Sequence, residues 1–312
     1  MRRAGISGIP DQVRGDERRG KAFSRNGGKL PNFTRKSHSI ARVAGRGRAP
    51  VAVIRKAASP IIAKQARSAR YCRTAISERT DAIKTIGLIG GLSWESSAQY
   101  YRLLNEGVRA RLGGLHSARI LLLSVDFAPI AELQASGDWA VLDGQMADAA
   151  RSLTAGGAEL LLICANTMHL CAEAVEAATP VPLLHIADPA IAAIQAAGFS
   201  RVGLLGTAFT MEKPFYTARM AAAGIEALIP DDADRAIVHS IIYDELVQGV
   251  VSDASRAEYR RIIAALVANG AEAIVLGCTE IMLLVSAEDS AVPLFDTLAL
   301  HVDAAVAAAI AS

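Results

Sequence analysis

Aromatic residues are scarce, 5% of 312, and there are only four cysteines, Cys72, Cys164, Cys171 and Cys278. The cysteines show no paired spacing of the kind that staples a small secreted domain. Free thiols in a reducing compartment, the cytoplasm, are therefore expected. No uninterrupted apolar run reaches the length of a membrane span, so no membrane partner is expected. The N-terminus lacks the charged-then-apolar order of a secretory signal. The glycine fingerprint of dinucleotide-binding folds, GxGxxG, is missing as well. What the chain has in quantity is aliphatic: 52% of it is hydrophobic, mostly Ala, Leu, Val and Ile. That composition suits an α/β protein whose parallel strands are covered on both faces, in one or two domains.

The net charge of +2 conceals a division. Residues 1–82 carry 20 Lys/Arg against 5 Asp/Glu, whereas the remainder carries 13 against 26. The first segment is rich in Arg, Ser and Gly, as in GDERRGKAFSR, and has little periodicity. It has too few apolar residues to offset the entropy of ordering. A disordered tail or an over-called start is the expectation. A nucleic-acid arm or a transit peptide is the alternative, and no aromatic platform accompanies the charge.

From Lys84 onward strands and helices alternate. KTIGLIG reads as a strand, followed by the turn GGLSWES and a helix over about 95–112. Strands follow at 118–127, 158–164, 201–207, 225–229 and 271–277, with helices near 138–156, 167–178 and 211–223, up to about 269, and from about 280. Alternation of this kind predicts parallel sheets with right-handed crossovers. The chain also repeats itself. KTIGLIGG (84–91) resembles RVGLLGTA (201–208), and GAELLLICANT (157–167) resembles GAEAIVLGCTE (270–280). In the second pair Gly157, Ala158 and Glu159 match Gly270, Ala271 and Glu272 at an offset of 113. Two related lobes follow: 83–181, completed by 297–312, and 182–296. The fold class is α/β, two pseudo-symmetric lobes with the site in the cleft between them.

Ligands of parallel α/β sheets bind beyond the carboxyl ends of the strands. The two repeat strands end there as ICANT and LGCTE. A thiol at the strand-to-helix junction, Cys278, is a candidate base or nucleophile, with a buried structural cysteine as the alternative. Thr279 and Glu280 favour the first reading, since both can bond a ligand. At the 113-residue offset the mate of Cys278 is Ala165, and Cys164 matches Gly277. Adjacent strand residues face opposite sides, so Cys164 is expected to point away from the place of a second thiol. Cys164, His169 and Cys171 match no common zinc spacing, and no metal site is expected. The turn after Gly90 could cradle an anion. Asp231, Asp232 and Asp234 read as a helix start rather than a metal site.

TIGLIGGLSWESSAQYYRLLNEG (85–107), GGLHSARILLLSVDF (113–127), CANTMH (164–169), LHIAD (184–188), IIYDEL (241–246) and GCTEIMLLV (277–285) resemble the aspartate/glutamate racemases, and most of all the bacterial branch acting on L-aspartate and L-glutamate. The likeness covers 84–312 and none of 1–82. It implies racemisation of a small amino-dicarboxylic acid without pyridoxal phosphate or other cofactor, commonly in a homodimer. Two cysteines flank the α-carbon in that family. Carried over by motif, Cys278 is one acid/base. Gln134, Ala165, Asn166, Thr167, Thr279 and Glu280 line the substrate site, and Ser93 and Trp94 close its edge. The family's other cysteine position is Ala165 here, which leaves Thr167, Cys164 after a local twist, or a water to return the proton. A decarboxylase or cis–trans isomerase with one cysteine, and a binding protein that has kept only the fold, are the alternatives.

Overall fold

The computed structural model describes residues 83–311. The basic segment 1–82 lies outside the described residues, as does Cys72. β1 (Ile86–Gly90) is buried along its whole length. β2 (Ile120–Ser124) and β3 (Leu160–Ile163) flank it, both parallel, with Ile86 opposite Ile120 and Leu160. A second parallel sheet has the order β5 (Glu226–Leu228), β4 (Arg201–Gly206), β6 (Ala273–Gly277), β7 (Leu294–Asp296). No helix among the described residues is long and apolar enough to cross a membrane.

The repeat goes further than the sequence comparison. The Leu161 N–H donates to the Pro182 carbonyl at 2.9 Å, and Leu183 bridges to Leu161 as a rudimentary fourth strand. The Ile274 N–H likewise donates to Pro293 at 2.9 Å, and Leu294 pairs with Ile274. ValProLeu at 181–183 thus mirrors ValProLeu at 292–294. The matching glycines have one cause. A Cβ on Gly87 would meet Ala158 Cβ at 2.8 Å and Leu153 Cβ at 3.3 Å; one on Gly203 would meet Leu266 Cδ1 at 3.0 Å. Leu153 and Leu266 are themselves mates at the 113-residue offset, so each central strand lies close against the equivalent helix. Gly157 and Gly270, at φ +94 and +96, make the same left-handed step into β3 and β6.

Several elements differ from the sequence expectation. The strand expected at 118–127 stops at Ser124, because the Asp126 carboxylate accepts the Ala128 N–H and caps a helix, α2 (Phe127–Ser136). The helix α1 (Trp94–Leu112) begins one residue before expectation, and α3 (Trp139–Ala155) lies within its expected span. The helix expected from 167 opens as a 3₁₀ turn, Thr167–Cys171, before α4 (Ala172–Ala178). α5 (Ala187–Ala196) and β7 had no sequence assignment. The helix expected near 211–223 is broken into α6 (Ala208–Glu212) and α7 (Pro214–Ala222), since Pro214 lacks the N–H needed to continue. Asp231 caps α8 (Asp232–Asp244) by accepting the Asp234 N–H at 2.9 Å. α9 (Asp253–Ala268) and the single turn α10 (Ile281–Leu284) lead to the last helix, α11 (Thr297–Ile310).

The two lobes exchange helices. α11 follows the second sheet but buries Leu298, Val302, Ala305, Val306 and Ala309 with Ile86, Leu88, Tyr100 and Leu104 of the first lobe. α5 follows the first sheet but buries Ala187, Ile191 and Ile194 with Val202, Leu204, Ala273 and Val275 of the second. Each buried Leu, Val or Ile side chain contributes roughly 1.5–3 kcal/mol, so the crossing helices tie the lobes together.

Three histidines lie at this crossing. His301 Nε2–H donates to the Leu184 carbonyl at 2.9 Å, and its Nδ1 accepts the Tyr100 hydroxyl at 2.7 Å. His169 Nδ1–H donates to the Ala165 carbonyl at 2.8 Å, and its Nε2 accepts the Ile186 N–H at 3.2 Å. His185 Nδ1 accepts the Ala187 N–H at 3.2 Å, and its ring lies 4.5 Å from that of His169. Each pattern needs a neutral ring. Burial lowers the three pKa values to about 4 (His169), 2 (His185) and 3 (His301), with the neighbouring rings and Arg219, itself paired with Asp188, as smaller contributors. An unfolded chain takes up these protons near pH 6.5 while the folded one refuses them, so stability is full above pH 6.5 and falls below it. Denaturant titrations at pH 7.5 and 5.0 are expected to differ by roughly 1–2 kcal/mol per histidine. The difference should shrink in His185→Asn, whose carboxamide oxygen can replace Nδ1 as acceptor.

Candidate active site

The carboxyl ends of β3 and β6 open into one cavity of about 30 Å³. Ala165, Asn166 and Thr167 line it from the first lobe, and Cys278, Thr279 and Glu280 from the second. Gln134 on α2 completes the set expected from sequence. Space of this size holds a water or two, so a bound amino acid requires the walls to part.

The polar groups form short chains. The Cys278 thiol donates to Glu280 Oε2 at 3.1 Å, and the Thr279 hydroxyl donates to the same oxygen at 2.8 Å. Thr167 and Thr207 hydroxyls are 2.8 Å apart. The Tyr243 hydroxyl donates to Gln134 Oε1 at 2.8 Å, and Gln134 Nε2 approaches Met168 Sδ at 3.1 Å. Asn166 Nδ2 donates to Thr297 Oγ1 at 3.0 Å, and that hydroxyl donates onward to the Leu276 carbonyl at 2.8 Å. Because the Thr297 proton is engaged, the amide orientation of Asn166 is fixed with its NH₂ toward Thr297. Its Oδ1 is left buried and without a partner. A ligand N–H or O–H placed there would satisfy it.

Burial pushes the Cys278 thiol well above its ordinary pKa, and the Glu280 carboxylate beside it adds to the shift. The resting sulfur is therefore a protonated thiol held by a carboxylate. Tyr243 and Tyr259 are raised by burial first and by Cys278 and Glu280 next.

Ser93 and Trp94 do not line the cavity. Ser93 is 2% exposed and starts α1 at φ +147, and Trp94 is 66% exposed. The glycine turn before them serves packing. A Cβ on Gly91 would collide with the Val125 carbonyl oxygen at 2.2 Å, and the Gly91 N–H is bound by Ser97 Oγ at 2.8 Å. The close approach it permits draws together the ends of β1 and β2, whose Leu92 and Phe127 both wall the cavity. Cys164 faces the core formed with α11, and Cys171 faces the core of the first lobe's other side. With His169 bonded to Ala165, the three do not converge, and no metal-holding cluster is found among the described residues.

The sequence reading missed Thr207, Tyr243, Leu92, Phe127, Ile242 and Val247 as wall residues. Thr207 had a signal: when Gly87 is matched to Gly203, an offset of 116, it is the mate of Gly91. Tyr243 lies in IIYDEL, a segment that carries the resemblance, but its place on the cavity comes from the tertiary packing of α8.

Two repeated parallel α/β lobes thus bring two facing strand ends to one cavity, with a thiol and a carboxyl paired at the end of β6. Residues 89–305 match the model of the Asp/Glu/hydantoin racemase family, and the chain belongs to that family. A Yersinia pestis structure described as a candidate Asp/Glu racemase is 52% identical, with 73% of this chain and 100% of that one covered and a TM-score of 0.69. An aspartate racemase homologue from Pyrococcus horikoshii is 30% identical over 73% and 99% of the two chains, with a TM-score of 0.64. Picrophilus torridus aspartate racemase, 20% identical over 72% and 94%, shares the fold at a TM-score of 0.60.

A protonated, carboxylate-held thiol should alkylate slowly. Peptide-resolved mass spectrometry with iodoacetamide at pH 8 is expected to show Cys278 reacting at least about tenfold more slowly than free cysteine. The rate should still be climbing at pH 9. A plateau near neutral pH would mean a thiolate at rest.

Proposed function

We propose that the protein is a cofactor-independent amino-acid racemase in which Cys278 exchanges the α-proton of its substrate. The observation that carries this reading is the convergence of the Cys278–Glu280 pair and the Ala165–Thr167 segment on a single cavity. As substrate enters, the thiol proton passes to Glu280, leaving a thiolate and a neutral carboxyl. The thiolate then takes the α-proton, and the carbanionic intermediate is stabilised by donors aimed at its carboxylate. Inversion needs a proton from the opposite wall. Ala165 has none, so the Thr167 hydroxyl, bonded to that of Thr207, or a water beside it gives the proton, and the proton held by Glu280 returns through water to restore that donor. The likeness to aspartate and glutamate racemases supports amino acids of that size as substrates.

A second reading rests on Ala165 itself. A single surviving acid/base also suits a decarboxylase or cis–trans isomerase of a dicarboxylic acid, and assays on malonates and maleate separate it.

The test is α-proton loss in D₂O, followed by NMR, with L-aspartate, L-glutamate and their amides, joined to chiral analysis of the same samples. Wild type should exchange at least one of them, and Cys278→Ala should lose about 10²-fold or more. Ala165→Cys should raise inversion relative to exchange by about tenfold or more. No exchange with any amino acid would refute the racemase reading.

A further inference from the structure

The charge of the cavity narrows the substrate class, given the racemase reading above. Among the described residues none of its wall residues is Lys, Arg or His. The one carboxyl on its walls is Glu280, which is 3% exposed and accepts the Cys278 thiol in a hydrogen bond. Asn166 and Thr167 of the first lobe and Thr207 at the end of β4 are uncharged, and Leu92, Ile242 and Val247 are aliphatic. His239 stacks behind Tyr243 at 4.6 Å, its Nδ1 accepts the Ala208 N–H at 3.2 Å, and burial lowers its pKa, so it supplies no cation.

An amino acid with an uncharged side chain enters as a zwitterion of net zero charge. Its ammonium fits the site, because the buried Oδ1 of Asn166 lacks a donor and the Glu280 carboxyl offers further acceptors. Aspartate or glutamate would add a side-chain carboxylate to a space that already holds Glu280 and has no basic side chain among the described residues to pair with it. Burying an unpaired charge is among the most costly events in a protein interior. A carboxamide of the same shape has no such penalty, and the Gln134 amide and the Tyr243 hydroxyl can both bond it.

We infer that the site selects amino acids with uncharged polar side chains over aspartate and glutamate of the same shape. The test uses the full-length protein and the isosteric pairs L-asparagine/L-aspartate and L-glutamine/L-glutamate. In α-proton exchange, kcat/KM for the amide should exceed that for the acid by about tenfold or more in at least one pair. Equal or faster exchange of both acids would overturn the inference. Binding of the same four amino acids to Cys278→Ser, by calorimetry, separates selectivity from chemistry. The amide should bind more tightly than the acid, and adding Glu280→Gln should shrink that ratio about fivefold or more. An unchanged ratio would also overturn it. If none of the four exchanges but the amides still bind selectively, the racemase reading fails and the selectivity stands.

Discussion

Strands as apolar as IGLIG and AIVLG are buried on both faces, and each sheet needs helices on both sides. Neither lobe supplies all of them from its own stretch of chain. The first is closed by α11 from the far end of the sequence, and the second by α5, which directly follows Leu183 of the first sheet. This exchange brings the carboxyl ends of β3 and β6 to face one another, and the cavity exists because of it. The same crossing buries three histidines that are useful only as neutral rings, each bonded to backbone at the point where the chain changes lobes.

In the proposed reaction the chemistry rests on one short contact. A thiol in a dry cavity is a poor base, since burial favours its protonated form. Glu280, two residues on and bonded to the sulfur, gives the proton a destination without bringing in water. Thr279 donates to the same carboxylate oxygen and holds it toward the sulfur. The facing strand ends are asymmetric in chemistry though symmetric in backbone: Ala165 occupies the mate position of Cys278, and the Thr167 hydroxyl two residues on is bonded to that of Thr207 at the end of β4. A cavity of about 30 Å³ also requires movement before substrate enters. The Gln134–Tyr243 hydrogen bond, which joins α2 of one lobe to α8 of the other, is a contact that such opening would break.

Much of this was legible in the residues. The β1, β3, β4 and β6 runs were recognisable from uninterrupted aliphatic stretches bounded by glycine. The repeat offset, with the period-2 alternation of strands, assigned Ala165 to the mate position of Cys278 and turned Cys164 away; the structure puts Cys164 in the core against α11. Less was readable where the signal is local and polar. Asp126 ended a strand and began α2 through one side-chain bond, in a stretch whose apolar run favoured a longer strand. Ser93 and Trp94, carried over by the resemblance, lie off the cavity because the turn's glycines serve the approach of the Val125 backbone.

The sequence by itself determined two parallel α/β repeats, the strand ends that open on the cavity, and one thiol there without a mate. These follow from periodicity and composition, which act along the chain. Only the tertiary structure decided which distant segments meet. It brought α8 and Tyr243 onto the cavity, paired Thr207 with Thr167, fixed the amide of Asn166 through Thr297, and left the walls with one carboxyl and, among the described residues, no basic side chain. Those outcomes depend on how the lobes pack and on which polar groups are then shut away from water, and no local pattern of residues encodes them.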